Sequence, residues 1–173
     1  GGHITANNKE IIFSTGSLGH GLPYAVGLAY ASKQKLSKEK IFIIISDGEL
    51  NEGTTWESFL IASHHHLSNL FIILDNNKFQ ALGLTKDILK IDNLKTKFKA
   101  FDMNVHECNG HDMTKIKKFV NLKENGKPNI LIANTIKGCG IDFMENNIKW
   151  HYSSLDPKSY KLAKKKIRYI DEK

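Results

Sequence analysis

Short apolar runs, each followed directly by polar residues, constrain the fold of this chain more than any other feature of its sequence. The three clearest runs are Ile41–Ile45, Leu70–Leu74 and Ile130–Ala133, and a weaker fourth run is Val105–Cys108. The three clear runs are continuous rather than alternating, which is typical of parallel strands that are covered on both faces of a sheet. We therefore predict four strands in a mostly parallel sheet.

The segments between these runs carry helical patterns, in which apolar residues recur at helical spacing. The three groups are Trp56, Phe59, Leu60 and Leu67; Leu94, Phe98 and Phe101; and Ile116, Phe119, Val120 and Leu122. The third group starts at Asp112, which is a good helix N-cap. Strands that alternate with helices predict an α/β fold, a mostly parallel sheet with helices on both faces and right-handed crossovers.

The composition favours a soluble globular protein of one domain. Of 173 residues, 40% are hydrophobic, and no apolar run approaches the length of a membrane-spanning helix. The net charge is +7, but the lysines are scattered and match no nucleic-acid motif. The two cysteines lie far apart without a metal-ligand spacing. We predict a cytoplasmic protein with no membrane and no nucleic-acid partner.

Polar residues follow the first two strands at the point where each strand ends. Asp47 and Gly48 follow the first run, Asn77 follows the second, and 77 − 47 = 30 positions is about one strand–helix–strand unit. Two neighbouring parallel strands can therefore aim a carboxylate and a carboxamide at one point outside their carboxyl ends, where open α/β sheets bind ligands. Such oxygen ligands suit Mg²⁺ or Ca²⁺, and Mg²⁺ often keeps phosphate oxygens in its shell. The alternative is that both side chains only cap turns.

A glycine-rich stretch, "STGSLGHGLPYAVGLAYASK" at residues 14–33, precedes another helical pattern. Gly16, Gly19 and Gly21 come before a helix rich in small residues. Glycines at a helix N-terminus expose backbone N–H groups to an anion. Taken alone, the pattern is a weak signal, because a glycine loop of this kind is more often just a tight turn.

Six segments occur in order along the chain at plausible spacings. They are "STGSLGHG", "SDGELNEGTTWES", "LDNNKFQ", "NGHD", "TIKGCGIDFMEN" and "WHYSSL". Together they resemble the diphosphate-binding domain of transketolase, a thiamine-diphosphate enzyme, over residues 3 to about 154. The resemblance implies the thiamine-diphosphate-binding α/β fold, with thiamine diphosphate and Mg²⁺ as cofactors.

The resemblance also implies roles for individual residues. The implied metal ligands are Asp47, the side chain of Asn77 and the backbone carbonyl of Phe79. The implied cofactor-binding residues are Gly16, Ser17, Leu18, Gly48, Glu49, Asn77, Lys137 and His151. Of these, Gly48 and Glu49 would contact the diphosphate through the main chain. His3 and His151 are the implied catalytic residues, and Glu52 would lie at a subunit contact.

The chain departs from the family pattern in several respects. Ser46 stands where glycine is usual, and Cys139 stands where a basic residue is common. We expect the chain to lack the family's pyrimidine-binding domain and a segment before His3 that carries further cofactor and sugar contacts. The chain thereby resembles the N-terminal subunit of split transketolases. We expect one diphosphate-binding domain over 1–173 that lacks its N-terminal segment, with a peripheral basic tail at 155–173.

The function that the resemblance implies is transfer of a two-carbon ketol unit between sugar phosphates. A C-terminal pyrimidine-domain subunit would be the partner, in a dimer or heterotetramer, and the chain alone would be inactive. Two alternatives keep the fold: a thiamine-diphosphate enzyme subunit that acts on a modified sugar in a biosynthetic pathway, and a non-catalytic module. The joint presence of Asp47, Asn77, His3 and His151 argues against the non-catalytic module.

Overall fold

A computed structural model describes residues 3–6 and 11–171 of the chain. The other positions of the predicted 1–173 domain, including the last two residues of the predicted tail, lie outside the described residues. The helices are α1 Gly21–Gln34, α2 Gly53–His64, α3 Thr85–Ile88, α4 Leu94–Ala100, α5 Met113–Val120 and α6 Pro157–Asp171. The strands are β1 Ile41–Ser46, β2 Leu70–Asn76, β3 Phe79–Gln80, β4 Gly83–Leu84, β5 Asn104–Asn109 and β6 Asn129–Asn134. Short 3₁₀ turns span Gly48–Asn51 and Ile148–His151.

The main sheet has four strands in the order β1-β2-β6-β5, and every neighbouring pair is parallel. These are the four predicted strands, so the predicted mostly parallel sheet is confirmed. Strands β3 and β4 form a separate antiparallel hairpin. Ser46 pairs with Asp75, and Asn76 pairs with Asn134, so the carboxyl ends of the three strands β1, β2 and β6 lie at one edge of the sheet.

Helices cover both faces of the sheet, as predicted. On one face, α1, α2 and α4 pack over alternate strand residues such as Ile45, Ile72 and Ile130 in one core cluster. On the other face, α5 places Phe119 against Phe71 in a smaller cluster. Asp112 caps α5, because its carboxylate accepts hydrogen bonds from two backbone N–H groups of the first turn.

The expectation that all three apolar runs are covered on both faces is wrong for the first. Strands β2 and β6 are almost continuously buried, but Phe42 and Ile44 of β1 are 44% and 72% exposed. Strand β1 lies at the edge of the sheet, and the strand residues of the core cluster around α5 come from β2, β5 and β6. The apolar side chains of β1 that point to the α5 face therefore stay in contact with solvent.

The predicted apolar face of α2 also needs correction. Trp56 and Phe59 pack against Phe98 of α4, but Leu60 is 59% exposed. Leu60 lies about 100° around the helix from Phe59 and so points away from the sheet. Leu67 is fully buried but lies beyond the end of α2.

The predicted basic tail contains α6. Within it Ala163 is buried, and Lys166 Nζ lies 2.6 Å from Asp142 Oδ2. In the described part of the chain, no helix combines the length and the apolar character needed to cross a membrane.

Candidate functional site

The carboxyl ends of the four main strands are tied to one another side by side. The Asp47 backbone N–H donates to the Asp75 carbonyl at 3.1 Å, which joins the end of β1 to β2. The Asn76 side chain donates to Asn134 Oδ1 at 2.7 Å, and the Gly110 N–H donates to the Asn134 carbonyl at 2.8 Å. The loops that leave these strands, which carry Asp47, Asn77 and Lys137, therefore start from one hydrogen-bonded edge.

Asp47 is a buried carboxylate with one unused oxygen. It is 6% exposed, and its Oδ2 accepts the Lys78 backbone N–H at 2.6 Å. Its Oδ1 is buried and has no hydrogen-bond partner among the described residues. Burial, with a smaller effect from the charge of Asp75, raises the pKa of Asp47 to about 6, although the Lys78 N–H and the nearby Gly48 N–H oppose the rise. The Gly48 N–H lowers the pKa by its proximity but does not have hydrogen-bond geometry toward Oδ1. A bound cation would satisfy the free oxygen and favour the ionised form.

Asn77 is held in one orientation by its neighbours. Its Nδ2 donates to Asp75 Oδ2 at 3.0 Å, and its Oδ1 accepts the Phe79 backbone N–H at 2.9 Å. Asp75 also accepts a hydrogen bond from the Thr135 hydroxyl at the end of β6. Sequence reasoning assigned no role to Asp75 or Thr135. The signal in the sequence that could have indicated a role for Asp75 is its position at the end of a strand, two residues before Asn77.

The oxygen atoms around this turn fit a hard divalent cation. Asp47 supplies a buried carboxylate oxygen without a partner. Asn77 follows β2, Phe79 begins β3, and the Lys78 N–H between them donates to Asp47, which fixes this turn in place. Mg²⁺ is typically bound through one or two carboxylates together with phosphate oxygens. No group of three or more His, Cys, Asp or Glu side chains that could hold a metal occurs in the described residues. The metal ligands implied by the resemblance contain a single carboxylate, that of Asp47, together with two uncharged oxygen ligands from Asn77 and Phe79.

Gly48 stands where no larger residue fits. A Cβ atom at this position would lie 2.8 Å from Cβ of Gln80, a residue of β3. The absence of a side chain lets β3 pack directly against the loop that follows Asp47. The prediction that Gly48 contacts a diphosphate stays a prediction.

The Glu49 side chain joins two loops that sequence reasoning treated separately. Its Oε1 accepts the Gly19 backbone N–H at 2.8 Å in a buried hydrogen bond. The Thr54 hydroxyl donates to the Gly19 carbonyl at 2.8 Å. Gly19 has φ +76°, and a Cβ there would lie 2.4 Å from Thr54 Oγ1. Glu49 and Thr54 together hold the glycine loop against the loop that carries Asp47.

The main chain of Glu49 is also engaged. Its N–H donates to the Ser46 hydroxyl at 3.1 Å, and its carbonyl accepts from the Thr55 hydroxyl at 3.1 Å. Ser46, which replaces the glycine usual in the resembling family, thus closes the turn itself. The predicted main-chain contact of Glu49 with a diphosphate stays a prediction.

The glycine loop also meets the first described segment of the chain. A Cβ on Gly16 would lie 3.2 Å from Cγ of His3, and the Thr15 N–H donates to the Ile4 carbonyl at 3.1 Å. Ser17 and His3 are exposed, and Leu18 is 51% exposed. The structure therefore brings the predicted catalytic His3 to the loop that is predicted to line the thiamine site.

Lys137 and His151 form a second pair. The Lys137 Nζ and His151 Nδ1 atoms lie 3.4 Å apart. Partial burial, followed by the positive charge of Lys137, lowers the pKa of His151. The 3₁₀ turn that carries His151 contacts β3, which follows Asn77 closely along the chain. This pair therefore lies against the hairpin next to the predicted metal ligands.

An open groove of about 680 Å³ lies on the α5 face of the sheet, and its lining does not include Asp47, the glycine loop or His151. Its lining includes Asp75, Asn77, Lys137, Ile44, Ile73 and Met144. His111, at the edge of this groove, accepts the Ile136 backbone N–H at its Nε2, which gives it a structural role. The groove brings Asn77 and Lys137 together from the ends of different strands.

Comparison with known proteins assigns a family to this arrangement. The family profile described as "Transketolase, thiamine diphosphate binding domain" matches residues 1–173. The chain belongs to the transketolase family.

Relatives of this transketolase domain include subunits with stated sugar substrates. An apulose-4-phosphate transketolase subunit of Actinobacillus succinogenes is 47% identical over 169 residues, which are 96% of this chain and 61% of that protein. The 6-deoxy-6-sulfo-D-fructose transketolase subunit SqwG of Clostridium sp. is 36% identical over 88% of this chain and 56% of that protein. The chain thus spans about three fifths of the length of these relatives.

A solved transketolase has the same fold. The crystal structure of transketolase from Campylobacter jejuni matches with a TM-score of 0.82 and 33% identity, over 88% of this chain and 25% of that chain. This match confirms the predicted thiamine-diphosphate-binding α/β fold. Within this transketolase domain, Cys139 is an exposed free thiol, and no contact of the structure explains its replacement of a basic residue.

Proposed function

We propose that this chain binds Mg²⁺ and the diphosphate of thiamine diphosphate as part of a transketolase whose two cofactor-binding domains lie on separate chains. The reaction is the transfer of a two-carbon ketol unit between sugar phosphates. The single observation that carries the proposal is the buried Asp47 oxygen without a partner, next to Gly48 and the Asn77 turn. A non-catalytic module would gain nothing from an unpaired buried carboxylate, because desolvation of such a group is unfavourable.

The metal would be held by the Asp47 carboxylate, the Asn77 carboxamide oxygen and the Phe79 carbonyl. Gly48 would contact the diphosphate through its main chain, while Gln80 fills the space on its side-chain side. Gly16, Ser17 and Leu18 would line the thiamine site, and the Glu49–Gly19 hydrogen bond keeps their loop beside the metal loop. When bound, thiamine diphosphate supplies the carbon nucleophile of the reaction.

His151 and Lys137 would act at the phosphate and substrate side of the site. The lowered pKa of His151, caused first by burial and then by Lys137, keeps the imidazole neutral at neutral pH. A neutral imidazole can donate from one nitrogen and accept at the other, and so can hold a substrate or phosphate oxygen or take up a proton. Lys137 adds a positive charge for an anionic group, and His3 would contact the sugar from the glycine loop.

A pyrimidine-domain subunit is the proposed partner, in a dimer or heterotetramer. Several relatives that match this chain are themselves named as transketolase subunits. Helices α1 and α2 present exposed apolar side chains, among them Tyr24, Tyr30, Leu60 and Ile61, which a partner could cover. Glu52 is exposed at the start of α2, in agreement with a subunit contact.

The chain alone is proposed to be inactive. In the resembling family, the glutamate that acts on the aminopyrimidine ring belongs to the other domain. Glu49 is engaged with Gly19, and Glu52 belongs to the loop at the diphosphate end. Both free cysteines agree with a reducing compartment, and we propose a cytoplasmic location.

A modified sugar is the second candidate for the substrate. The observation that favours it is the 47% identity to a protein named for apulose 4-phosphate, together with similarity to a protein named for 6-deoxy-6-sulfo-D-fructose. Assays with ordinary and modified ketose phosphates in parallel would distinguish the two candidates.

The test is titration calorimetry with thiamine diphosphate, with and without Mg²⁺, for the complete protein assembled with a pyrimidine-domain subunit from the same genome. We expect binding that depends on Mg²⁺. Exchange of the thiazolium C2 proton for deuterium, followed by NMR, should be fast only when the partner is present. Absence of cofactor binding by the assembled protein would refute the function, and fast exchange by this chain alone would refute the two-chain site.

A further inference from the structure

Two buried polar atoms without partners lie on the residues that flank Gly48. Five buried side-chain nitrogen or oxygen atoms lack a hydrogen-bond partner in the described part of the chain. Two of the five are Asp47 Oδ1, directly before Gly48 in sequence, and Gln80 Nε2. One is an acceptor and the other is a donor, and each is without a partner, so they do not satisfy each other.

Gln80 packs directly against Gly48. A Cβ built on Gly48 would lie 2.8 Å from Gln80 Cβ, 3.6 Å from Gln80 Cα and 3.6 Å from Gln80 Oε1. The stem of Gln80 and its carboxamide oxygen both border the position that a Gly48 side chain would occupy. The carboxamide that carries the unpaired Nε2 therefore belongs to a side chain that packs against the loop proposed to bind the diphosphate.

The fold does not need this carboxamide. The role of Gln80 in the hairpin is backbone pairing with Gly83, which any residue of similar shape could provide. A buried donor without a partner destabilises the folded chain, because its hydrogen bonds to water are lost without replacement. A polar group retained at such a position points to a ligand that completes its hydrogen bonds.

The two unpaired atoms together require a ligand with both a cation and an anionic oxygen. A carboxylate oxygen takes the cation, and an amide N–H takes the anionic oxygen. A magnesium diphosphate carries both groups at adjacent positions. We propose that Gln80 is a further diphosphate-binding residue. Its side-chain N–H donates to a phosphoryl oxygen of the diphosphate, and the Mg²⁺ ion on the same diphosphate binds Asp47. This inference rests on the proposed function.

The test compares Gln80→Met with the wild type in the complete protein assembled with its partner. Methionine keeps the unbranched shape and removes both donors. The probes are magnesium pyrophosphate, which contains only the diphosphate end, and magnesium thiamine diphosphate. We expect Kd to rise about tenfold to a hundredfold for both probes, as for loss of one hydrogen bond to a charged group. Gln80→Glu should weaken binding further, because it replaces the donor with a negative charge.

Thermal unfolding is a second measurement, and it distinguishes a ligand-binding role of Gln80 from a purely structural one. Without ligand, Gln80→Met should unfold at the same or a higher temperature than the wild type, since it removes an unpaired buried donor. With magnesium pyrophosphate, its rise in Tm should be smaller than that of the wild type. Gln34→Met, at the exposed end of α1, is the matched control and should change neither quantity.

Equal Kd values for Gln80→Met and the wild type would overturn the inference while leaving the proposed function intact. A lower Tm without ligand, together with unchanged Kd, would assign Gln80 a purely structural role. Absence of binding by the wild type itself would overturn both the proposed function and this inference.

Discussion

Replacing Asp47 by asparagine should stabilise the ligand-free protein at neutral pH. The folded-state pKa of Asp47 is about 6, raised from 3.8 chiefly by burial. Between these two values the folded state binds a proton that the unfolded state has released. The free energy of unfolding therefore falls as the pH rises through this window. Above about pH 6 the full cost of burying the ionised Asp47 carboxylate is present. Asparagine removes the charge but keeps an oxygen that can accept the Lys78 N–H.

The size of the effect follows from the pKa difference. Each pKa unit corresponds to about 1.4 kcal/mol, so a rise from 3.8 to about 6 corresponds to at most about 3 kcal/mol. We expect Asp47→Asn to gain about 1–3 kcal/mol at about pH 8 and little at about pH 4. For a chain of 173 residues, that gain corresponds to a rise in Tm of about 2–10 °C.

The assay is thermal unfolding followed by circular dichroism across this pH range, without and with Mg²⁺ and thiamine diphosphate. The wild type should gain stability from the ligands, whereas Asp47→Asn should not, because the ion loses its anionic protein ligand. Asp87→Asn, at an exposed position of α3, is the control for removal of a carboxylate and should show neither effect. A ligand-free Asp47→Asn variant that is natively folded but no more stable than the wild type at about pH 8 would refute the reasoning.

Three further predictions follow from other contacts of the site and the core. Glu49→Ala should lower the free energy of unfolding by about 1.5–3 kcal/mol and speed amide exchange at Gly19, because a buried hydrogen bond to a charged group is lost. Glu49→Gln keeps an acceptor for the Gly19 N–H and should lower the free energy of unfolding less. Equal effects of the two variants in urea unfolding would argue against a stabilising Glu49–Gly19 hydrogen bond. His151→Ala should reduce ketol transfer by the assembled enzyme without changing Tm, and an unchanged turnover would leave His151 with no catalytic part. Lys40→Met should cost about 1–2 kcal/mol in urea unfolding, since Lys40 Nζ donates to two carbonyls at the end of α5. A loss no larger than that of Lys38→Met, at an exposed position, would contradict the last expectation.

Much of the fold could be predicted from the sequence because its signals are local. Each apolar run is a strand in the structure, and Asp112 caps a helix as expected. Runs of this kind reflect the burial of consecutive residues, and a cap depends on groups two or three positions away. The placement of Asp47 and Asn77 at neighbouring strand ends follows from the same patterns and the length of one strand–helix–strand unit.

Contacts between distant parts of the chain could not be predicted in this way. The Glu49–Gly19 hydrogen bond joins residues 30 positions apart, and Gln80, in the hairpin that follows β2, packs against Gly48. The exposure of Ile44 depends on which strand lies at the sheet edge and how far α5 extends. Sequence by itself determined the order of strands and helices and the residue types at the strand ends, because periodicity and capping act between near neighbours. Only the tertiary structure decided which of those polar atoms are paired and which remain free to bind a ligand, since pairing depends on the packing of segments that are remote in sequence.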